Sequence, residues 1–349
     1  MHLPCAAAFG SNHKVSNVIS NVLITGGAGY VGHVLTPRLL AAGYNVTVYD
    51  ALYFGSRLPN DPKLRVVSGD IRETAKLADA LKGQDAVLHL ACISNDASFE
   101  LDEKLSQTIN YDCFEPMVAA AKAAGVKRFV YCSSSSVYGV SDEPNVTEEH
   151  PLVPLTLYNK FKGMCEPILW KYKSDDFTCV VMRPATICGY SPRTRLDLSV
   201  NILTNHAINK GVITVFGGNQ MRPNLHIEDM VDAYQMMLEA PHEKIHGEIF
   251  NIGFQNYSIA EIANMVKRVV EQEMPDKGDI KIVTTPTNDM RSYHVNSDKV
   301  KRVLGFEPKR SIEDAVRDLT RAFGNYLLPN SFDDDWYYNV RTMKKIGAK

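Results

Sequence analysis

The stretch that decides the fold of this 349-residue chain is residues 22–32, VLITGGAGYVG. Its first four residues predict a buried strand, and the helical periodicity of residues 31–42 predicts a helix directly after it. Glycines at this junction let the backbone turn sharply and approach a pyrophosphate, while the helix N-terminus supplies amide donors and a positive dipole end. An ordinary tight turn is the alternative, but the position at the first strand–helix junction favours a dinucleotide site.

The remainder of the N-terminal half alternates short apolar runs with helical patterns. Strands are predicted at residues 46–49, 64–67, 86–90, 128–132 and 178–182, and helices at 73–82, 110–124 and 158–172. This alternation predicts an α/β fold, a doubly wound parallel Rossmann sheet with helices on both faces.

The pattern changes after residue 185. Helices are predicted at residues 201–209, 228–239, 259–270 and 311–323, with short strands such as 212–216 between them. We therefore expect an extension over residues 1–20, a dinucleotide-binding domain over 21–185, and a smaller α+β substrate lobe with a C-terminal tail over 186–349. The acidic and aromatic run at 332–338 suggests a packed tail or a subunit contact.

Composition narrows the function classes. The chain has 38 basic and 40 acidic side chains, so nothing in its overall charge favours nucleic acid or anionic membranes. No apolar run has the length of a membrane-spanning helix, and residues 1–20 lack the basic start of a signal peptide. The seven cysteines include no C-x-x-C pair, which argues against a zinc site and a disulfide framework. We expect no metal and a cytoplasmic location.

Asp50 ends the second predicted strand, 18 residues after Gly32. An acid in this position can accept a hydrogen bond from a ribose 2′-hydroxyl and would repel a 2′-phosphate, which favours NAD over NADP. No arginine follows until Arg57. A helix-capping or surface aspartate is the alternative interpretation.

Two further motifs carry reactive groups. Tyr158 and Lys162 are four residues apart on a predicted helix, where they share one face. A free phenol titrates near ~10, and a neighbouring ammonium favours the phenolate, which makes a usable base. Residues 132–136, CSSSS, bring hydroxyls to the end of the fifth strand. An exposed helix pair and a simple turn are the alternatives for these two motifs.

Taken together, the glycine stretch, Asp50, HLA at 89–91, SSSSVYG at 133–139 and Tyr158-x-x-x-Lys162 resemble the extended short-chain dehydrogenase/reductases. The similarity is to their nucleotide-sugar epimerase/dehydratase branch and covers about residues 21 to 325. It implies that Ser134 hydrogen-bonds the reacting sugar oxygen, that Tyr158 is the base and that Lys162 holds the nicotinamide ribose. The NAD-binding residues that it implies are Gly26, Gly29, Tyr30, Val31, Gly32, Asp50, Asp70, Ile71, Leu90, Ala91, Asn110, Ser133, Tyr158 and Lys162.

The resemblance also implies a nucleotide-diphosphate sugar as substrate. Arg222 and Arg291 stand in segments similar to the two that meet the diphosphate in this branch, and the arginine fork suits phosphate oxygens. A surface arginine is the alternative for each. The other expected substrate contacts are Ser134, Ser135, Thr186, Arg195 and Asn201. Thr186 replaces the asparagine of many relatives, and residues 191–197, SPRTRLD, are similar to a segment of enzymes acting on nucleotide-activated heptoses.

The implied reaction is epimerisation at C4 through a transient 4-keto sugar. A nucleotide-sugar 4-dehydrogenase or ketoreductase would use the same groups, and a 4,6-dehydratase or a non-catalytic NAD-sensing protein are further alternatives. Relatives that dehydrate carry an Asp-Glu pair where this chain has Ser135 and Ser136. The resemblance also implies a homodimer that pairs the helices at 110–124 and 158–172.

Overall fold

The computed structural model describes residues 19–94, 96–141, 143, 145–287 and 292–347. Most of the extension expected over residues 1–20 lies outside these residues.

Strands and helices alternate along the first half of the chain. The strands are β1 (Asn21–Thr25), β2 (Asn45–Asp50), β3 (Leu64–Ser68), β4 (Ala86–His89), β5 (Arg128–Cys132), β6 (Thr178–Pro184), β7 (Thr186–Cys188), β8 (Val212–Phe216), β9 (Met221–His226), β10 (Glu248–Ile252), β11 (Gln255–Ser258) and β12 (Lys281–Thr285). The helices are α1 (Gly32–Ala41), α2 (Thr74–Leu81), α3 (Asp96–Phe99), α4 (Glu103–Gln107), α5 (Phe114–Ala123), α6 (Leu157–Trp170), α7 (Ser199–Lys210), α8 (Ile227–Glu239), α9 (His242–Ile245), α10 (Ile259–Glu273), α11 (Asp298–Leu304), α12 (Ile312–Gly324) and α13 (Asn339–Ile346). A π-helical turn (Thr108–Asp112) precedes α5, and short 3₁₀ turns cover Ser135–Tyr138, Pro275–Lys277 and Asp335–Tyr337.

The central sheet has the order β10-β6-β5-β4-β1-β2-β3, and every neighbouring pair is parallel. The chain winds from β1 outward to β3 and then returns past β1 to build β4, β5 and β6. The strand order therefore reverses between β1 and β4, and the carboxyl ends of these strands open a crevice where ligands bind in such sheets. The expectation of a doubly wound Rossmann sheet is confirmed.

The sheet is buried on both faces because the strand residues alternate between two apolar cores. Val22 and Ile24 of β1 belong to one core, which α1 and α8 cover, whereas Leu23 belongs to the other, which α2, α5 and α6 cover. Near-continuous apolar runs are what such strands require.

The seventh strand, β10, comes from beyond residue 185, inside the segment that the sequence assigned mainly to the substrate lobe. Phe250 and Ile252 are fully buried, and they add to the same core as Val22. The main sheet therefore extends past the expected domain boundary, since the chain returns to β6 after building part of the second lobe.

The second lobe covers the carboxyl edge of the main sheet. It contains the sheets β11-β9-β7 and β12-β8, and α7, α10 and α12 pack around a separate core. The tail closes back onto this lobe: Tyr337 is 1% exposed and packs with Leu196 and Leu319. Of the two expectations for residues 332–338, the structure shows a packed tail. No helix in the described ranges is long and apolar enough to cross a membrane.

Candidate active site

A cavity of about 740 Å³ lies between the carboxyl edge of the main sheet and the second lobe. Its walls come from the glycine turn, the segments that follow β2, β4, β5 and β6, helix α6, the second lobe and the tail. No cluster of three or more metal-ligating side chains occurs among the residues that the structure describes.

The glycine turn has a shape that only glycine permits at two positions. Gly26 has a φ of +74°, and a Cβ there would lie 2.7 Å from the backbone of Ala91. A Cβ at Gly32 would lie 2.2 Å from the carbonyl oxygen of Gly27. The start of α1 can therefore approach a ligand closely, and its amide groups face the cavity end of the helix, as a diphosphate site needs.

Asp50 lines the cavity beside this turn. Its Oδ2 accepts a hydrogen bond from the Ala28 amide at 2.9 Å, and its Oδ1 accepts one from the Leu52 amide at 2.8 Å. Burial raises the pKa of Asp50 above its ordinary value, and the two amide donors oppose that shift. The carboxylate thus holds the glycine turn in place. Each oxygen has a second lone pair with which it can accept from a ribose hydroxyl, so these residues fit a dinucleotide.

Asp70 and Ile71, two more of the expected NAD-binding residues, also line the cavity. Asp70 binds Arg72 through two side-chain hydrogen bonds, at 3.0 and 2.7 Å, and Ile71 next to it is nearly buried. Burial by itself would raise the pKa of Asp70, but the hydrogen bonds from Arg72 outweigh it and the pKa is lowered. The side chain is therefore ionised and fixed in orientation.

The serine run after β5 is anchored on both sides. The Oγ atoms of Ser134 and Ser136 lie 2.7 Å apart, and the hydroxyl of Ser136 donates to Asn159 on α6. Ser133 donates to Oε1 of Glu166 at 2.7 Å. Glu166 in turn forms a buried ion pair with Arg183 at 2.6 Å. The hydroxyl of Ser134 is thus held at the cavity wall by groups on β5, α6 and β6.

Tyr158 and Lys162 project from the first two turns of α6, whose N-cap is Thr156. Lys162 is buried, and its Nζ donates to the carbonyl oxygen of Cys132 at 2.7 Å. Burial raises the pKa of Tyr158 well above its ordinary value; among the charged neighbours, Asp96 acts in the same direction and Arg195 opposes it. The sequence predicted the opposite direction, with Lys162 lowering this pKa. That prediction is wrong for this structure because burial dominates and the ammonium is bonded to a carbonyl.

Three expected substrate contacts from the second lobe also line the cavity. Thr186 lies on β7, and Arg222 lies on β9 with its guanidinium 5.2 Å from the ring centre of Tyr293. Arg195 binds Asp197 through two hydrogen bonds, at 2.9 and 3.1 Å, and donates to Ser94 Oγ at 3.0 Å. Arg291 lies outside the described residues.

Two expected contact residues stand behind the cavity wall instead. Asn110 bonds both the amide and the carbonyl of Ile93, at 2.8 and 2.9 Å, and so fixes the loop that follows β4. Asn201 is fully buried; it accepts from the Gly189 amide at 3.0 Å and donates to the Arg195 carbonyl at 2.8 Å. Contrary to the prediction, Asn201 shapes the 189–195 loop and does not line the cavity.

Sequence reasoning missed several residues that line the cavity or hold its wall. Of these, Glu166 had a detectable signal, since it lies four residues after Lys162 on the face of α6 that carries Tyr158. Asn159, directly after Tyr158, had none. Arg193, Ser94 and Asn339 line the cavity from three separate segments, and no local pattern connects them.

A parallel sheet with a glycine turn at its switch point, and a cavity that gathers a serine, a tyrosine and a lysine, define an NAD-dependent enzyme of the epimerase and oxidoreductase type. The sequence model of the NAD dependent epimerase/dehydratase family matches residues 22–253, and the chain belongs to this family. The resemblance seen in the sequence is confirmed, and NAD is the cofactor.

One relative and two solved structures illustrate the similarity. A UDP-glucose 4-epimerase of Lactobacillus helveticus is 30% identical over 321 residues, which are 84% of this chain and 94% of that protein. The structure of MoeE5 in complex with UDP-glucose and NAD is 25% identical, with a TM-score of 0.76 over 88% of this chain and all of that one. The epimerase Mth375 of Methanothermobacter thermautotrophicus, 24% identical, shares the fold with a TM-score of 0.80 over 90% of this chain and 95% of its own.

Proposed function

We propose that this enzyme epimerises a nucleotide-diphosphate sugar at C4 through a transient 4-keto sugar. The observation that carries the proposal is the grouping of Ser134, Tyr158 and Lys162 at the cavity wall, with serines at the two positions after Ser134. The L. helveticus relative and the MoeE5 complex support this substrate class, since their names specify UDP-sugars.

Different side chains of the enzyme have separate roles in the reaction at C4. Tyr158 takes the proton of the C4 hydroxyl and later returns one to the same oxygen, which Ser134 holds by a hydrogen bond. Arg195 favours the phenolate that the first step needs against the effect of burial, and Lys162, one turn further along α6, holds the nicotinamide ribose as the family resemblance implies. Bound NAD supplies the hydride acceptor and donor. Epimerisation requires that the sugar turn between the two transfers, so a roomy cavity suits it.

The two positions after Ser134 argue against loss of water from the sugar. Ser135 is nearly buried, and the hydroxyl of Ser136 is bonded to Asn159. A serine hydroxyl is far too weak an acid to replace the Asp-Glu pair of dehydrating relatives at neutral pH. Of the other carboxylates on the wall, Asp96 accepts from Thr156 at 2.6 Å and Asp197 is paired with Arg195. The carbon skeleton and the oxygen count of the sugar are expected to survive.

Product analysis tests this proposal. The full-length enzyme is incubated with NAD and with UDP-glucose, UDP-galactose and UDP-glucuronic acid in turn, and each product is examined by mass spectrometry and by proton NMR of C4. An unchanged mass with inverted C4 is the expected result. Loss of two hydrogens would favour the 4-dehydrogenase, and loss of water would show that the serine positions have been misinterpreted.

We also propose a cytoplasmic homodimer, as the family resemblance implies. Helices α5 and α6, which form the expected contact, lie side by side in the chain. The described cysteines are all free thiols, which suits a reducing compartment. Light scattering that gives a single chain mass at micromolar concentration would contradict the dimer.

A further inference from the structure

Arg193 is a buried cation that forms no ion pair with the described residues. The residue is 1% exposed and lines the cavity, and its guanidinium lies 4.0 Å from the ring centre of Phe54. One of its terminal nitrogens donates to Oδ1 of Asn339 at 2.6 Å. Within the described part of the chain its Nε has no hydrogen-bond partner, and no carboxylate forms an ion pair with it. Burying a charge without a counter-ion is costly, so this guanidinium is arranged to meet an anion.

Arg193 lies in the segment between β7 and α7, residues 189–198, which we call the arginine loop. The charges in this loop also favour an anionic ligand. Burial, followed by repulsion from Arg195, lowers the pKa of Arg193 to about 9. Arg195 is held by its own bidentate partner Asp197, and the carboxylates of Asp197 and Asp50 attract Arg193 without forming an ion pair with it. A ligand that carries negative charge would relieve both the repulsion and the missing hydrogen bond.

The position of Arg193 identifies which part of the cavity it serves. Its amide donates to Ser191 Oγ at 3.3 Å, and this hydroxyl donates to the Tyr30 carbonyl at 2.8 Å. The hydroxyl of Tyr30 donates to the Gly189 carbonyl at 2.6 Å. The arginine loop therefore rests on the glycine turn at the start of α1, whose helix N-terminus is itself suited to phosphate. The diphosphate of a dinucleotide lies at such a turn.

The tail holds this arrangement together. Asn339, the first residue of α13, accepts from Arg193 and also donates to Ser94 Oγ at 3.0 Å. The backbone amide of Asn339 donates to Asp197 Oδ2 at 3.3 Å. One tail residue thus ties the arginine loop to the loop after β4. Trp336, just before it, packs against Gly55 and under the guanidinium of Arg57 at 4.6 Å.

We propose that Arg193, positioned by Asn339 of the tail, binds the diphosphate of NAD from the second lobe and so clamps the cofactor between the lobes. This proposal rests on the NAD site alone, so it stands or falls independently of C4 epimerisation. The diphosphate of the sugar nucleotide has the same chemistry, but Arg193 rests on the cofactor turn whereas Arg222 lies on β9 across the second lobe. A clamp of this kind would keep NAD in place through both hydride transfers.

Binding measurements with the full chain test the clamp without using activity. Calorimetry gives the Kd of ADP, adenosine and UDP for the wild type and for Arg193→Met, after removal of nucleotides that co-purify. Loss of a charge-assisted hydrogen bond predicts a Kd for ADP raised about 10- to 100-fold. The Kd values for adenosine and UDP are expected to stay within about 2-fold. The control is Arg57→Met, which removes a cation stacked on the same tail but outside the cavity lining.

The tail contact is tested by a double-mutant cycle. Asn339→Ala is expected to weaken ADP binding by about 3- to 10-fold alone and to add nothing in the Arg193→Met background, since residues in one hydrogen-bond network couple. If Arg193→Met does not fold, as judged by circular dichroism and thermal melting, Arg193→Lys and Asn339→Ala carry the test.

Two results would overturn the clamp. Wild-type affinity for ADP in folded Arg193→Met, Arg193→Lys and Asn339→Ala would show that the loop has no role in cofactor binding. A loss of UDP affinity with ADP unchanged would assign Arg193 to the sugar nucleotide instead.

Discussion

The glycine turn and the arginine loop meet across the same cavity, yet they are built in different ways. The turn at residues 26–32 is local: its shape follows from glycines whose Cβ atoms would strike the neighbouring backbone. The arginine loop is assembled from afar, because Arg193 depends on Asn339, 146 residues later, and Asn201 bonds Tyr30, 171 residues earlier. One wall of the cavity is therefore a property of a short sequence, whereas the other exists only when the tail is packed.

Substitution of Tyr158 is expected to have the largest effect. Tyr158→Phe keeps the ring but removes the oxygen that moves the proton, so kcat is expected to fall about 10²- to 10⁴-fold. ADP binding should be unchanged, which separates a loss of proton transfer from a loss of cofactor binding. The control is Tyr172→Phe just beyond the end of α6, whose hydroxyl lies 3.4 Å from Glu115. A Tyr158→Phe enzyme with half the wild-type turnover would refute the assignment.

Substitution of Glu166, which holds the serine run through Ser133, is expected to have the next largest effect. Glu166→Leu leaves the buried guanidinium of Arg183 without its partner and removes the acceptor of Ser133. Breaking a buried ion pair in this way lowers the free energy of unfolding by about 3–5 kcal/mol, which urea denaturation measures. Glu115→Ala, which breaks the exposed pair with Lys171, should cost about 1 kcal/mol or less. Equal costs for the two variants would contradict this role.

The free energy of unfolding is also expected to decrease at acid pH because of His89. Burial, with a smaller effect of Lys162, lowers the pKa of this histidine to about 3. As the pH falls, the unfolded chain therefore takes up this proton before the folded chain does. The free energy of unfolding is unaffected by His89 above about pH 6.5 and decreases as the pH falls below that value. At pH 5 the loss is about 2 kcal/mol. Urea denaturation of the wild type and of His89→Gln between pH 7 and 5 should show a smaller slope in the variant; an unchanged slope would assign it to other groups.

The smallest of these effects is expected at Arg222 in the second lobe. Arg222→Ala should raise KM for the sugar nucleotide about tenfold and leave kcat nearly unchanged, because a diphosphate contact holds ground state and transition state alike. ADP affinity should not change, in contrast to Arg193→Met. Steady-state kinetics with the substrate found in the product analysis measures this, and an unaltered KM would remove Arg222 from the substrate site.

Part of the site followed from the sequence because its signals were short-range. The strand–turn–helix order around residues 26–32, Asp50 at the end of β2, and the Tyr158–Lys162 spacing on one helix face all depend on neighbours within the chain. Domain division was less accessible, since β10 is a brief apolar run whose pairing with β6 depends on the path of the second lobe. Asn201 shows the same limit: an asparagine that looks suited to a sugar is used to hold a backbone loop.

The sequence by itself determined the doubly wound sheet, the glycine turn and the placement of Tyr158 and Lys162 on one helix face, because backbone sterics and helical spacing act over a few residues. Only the tertiary structure decided the protonation of Tyr158, the partner of Lys162 and the meeting of Arg193 with Asn339. Burial and long-range hydrogen bonds set those properties, and both come into existence only when segments far apart in the chain pack against each other.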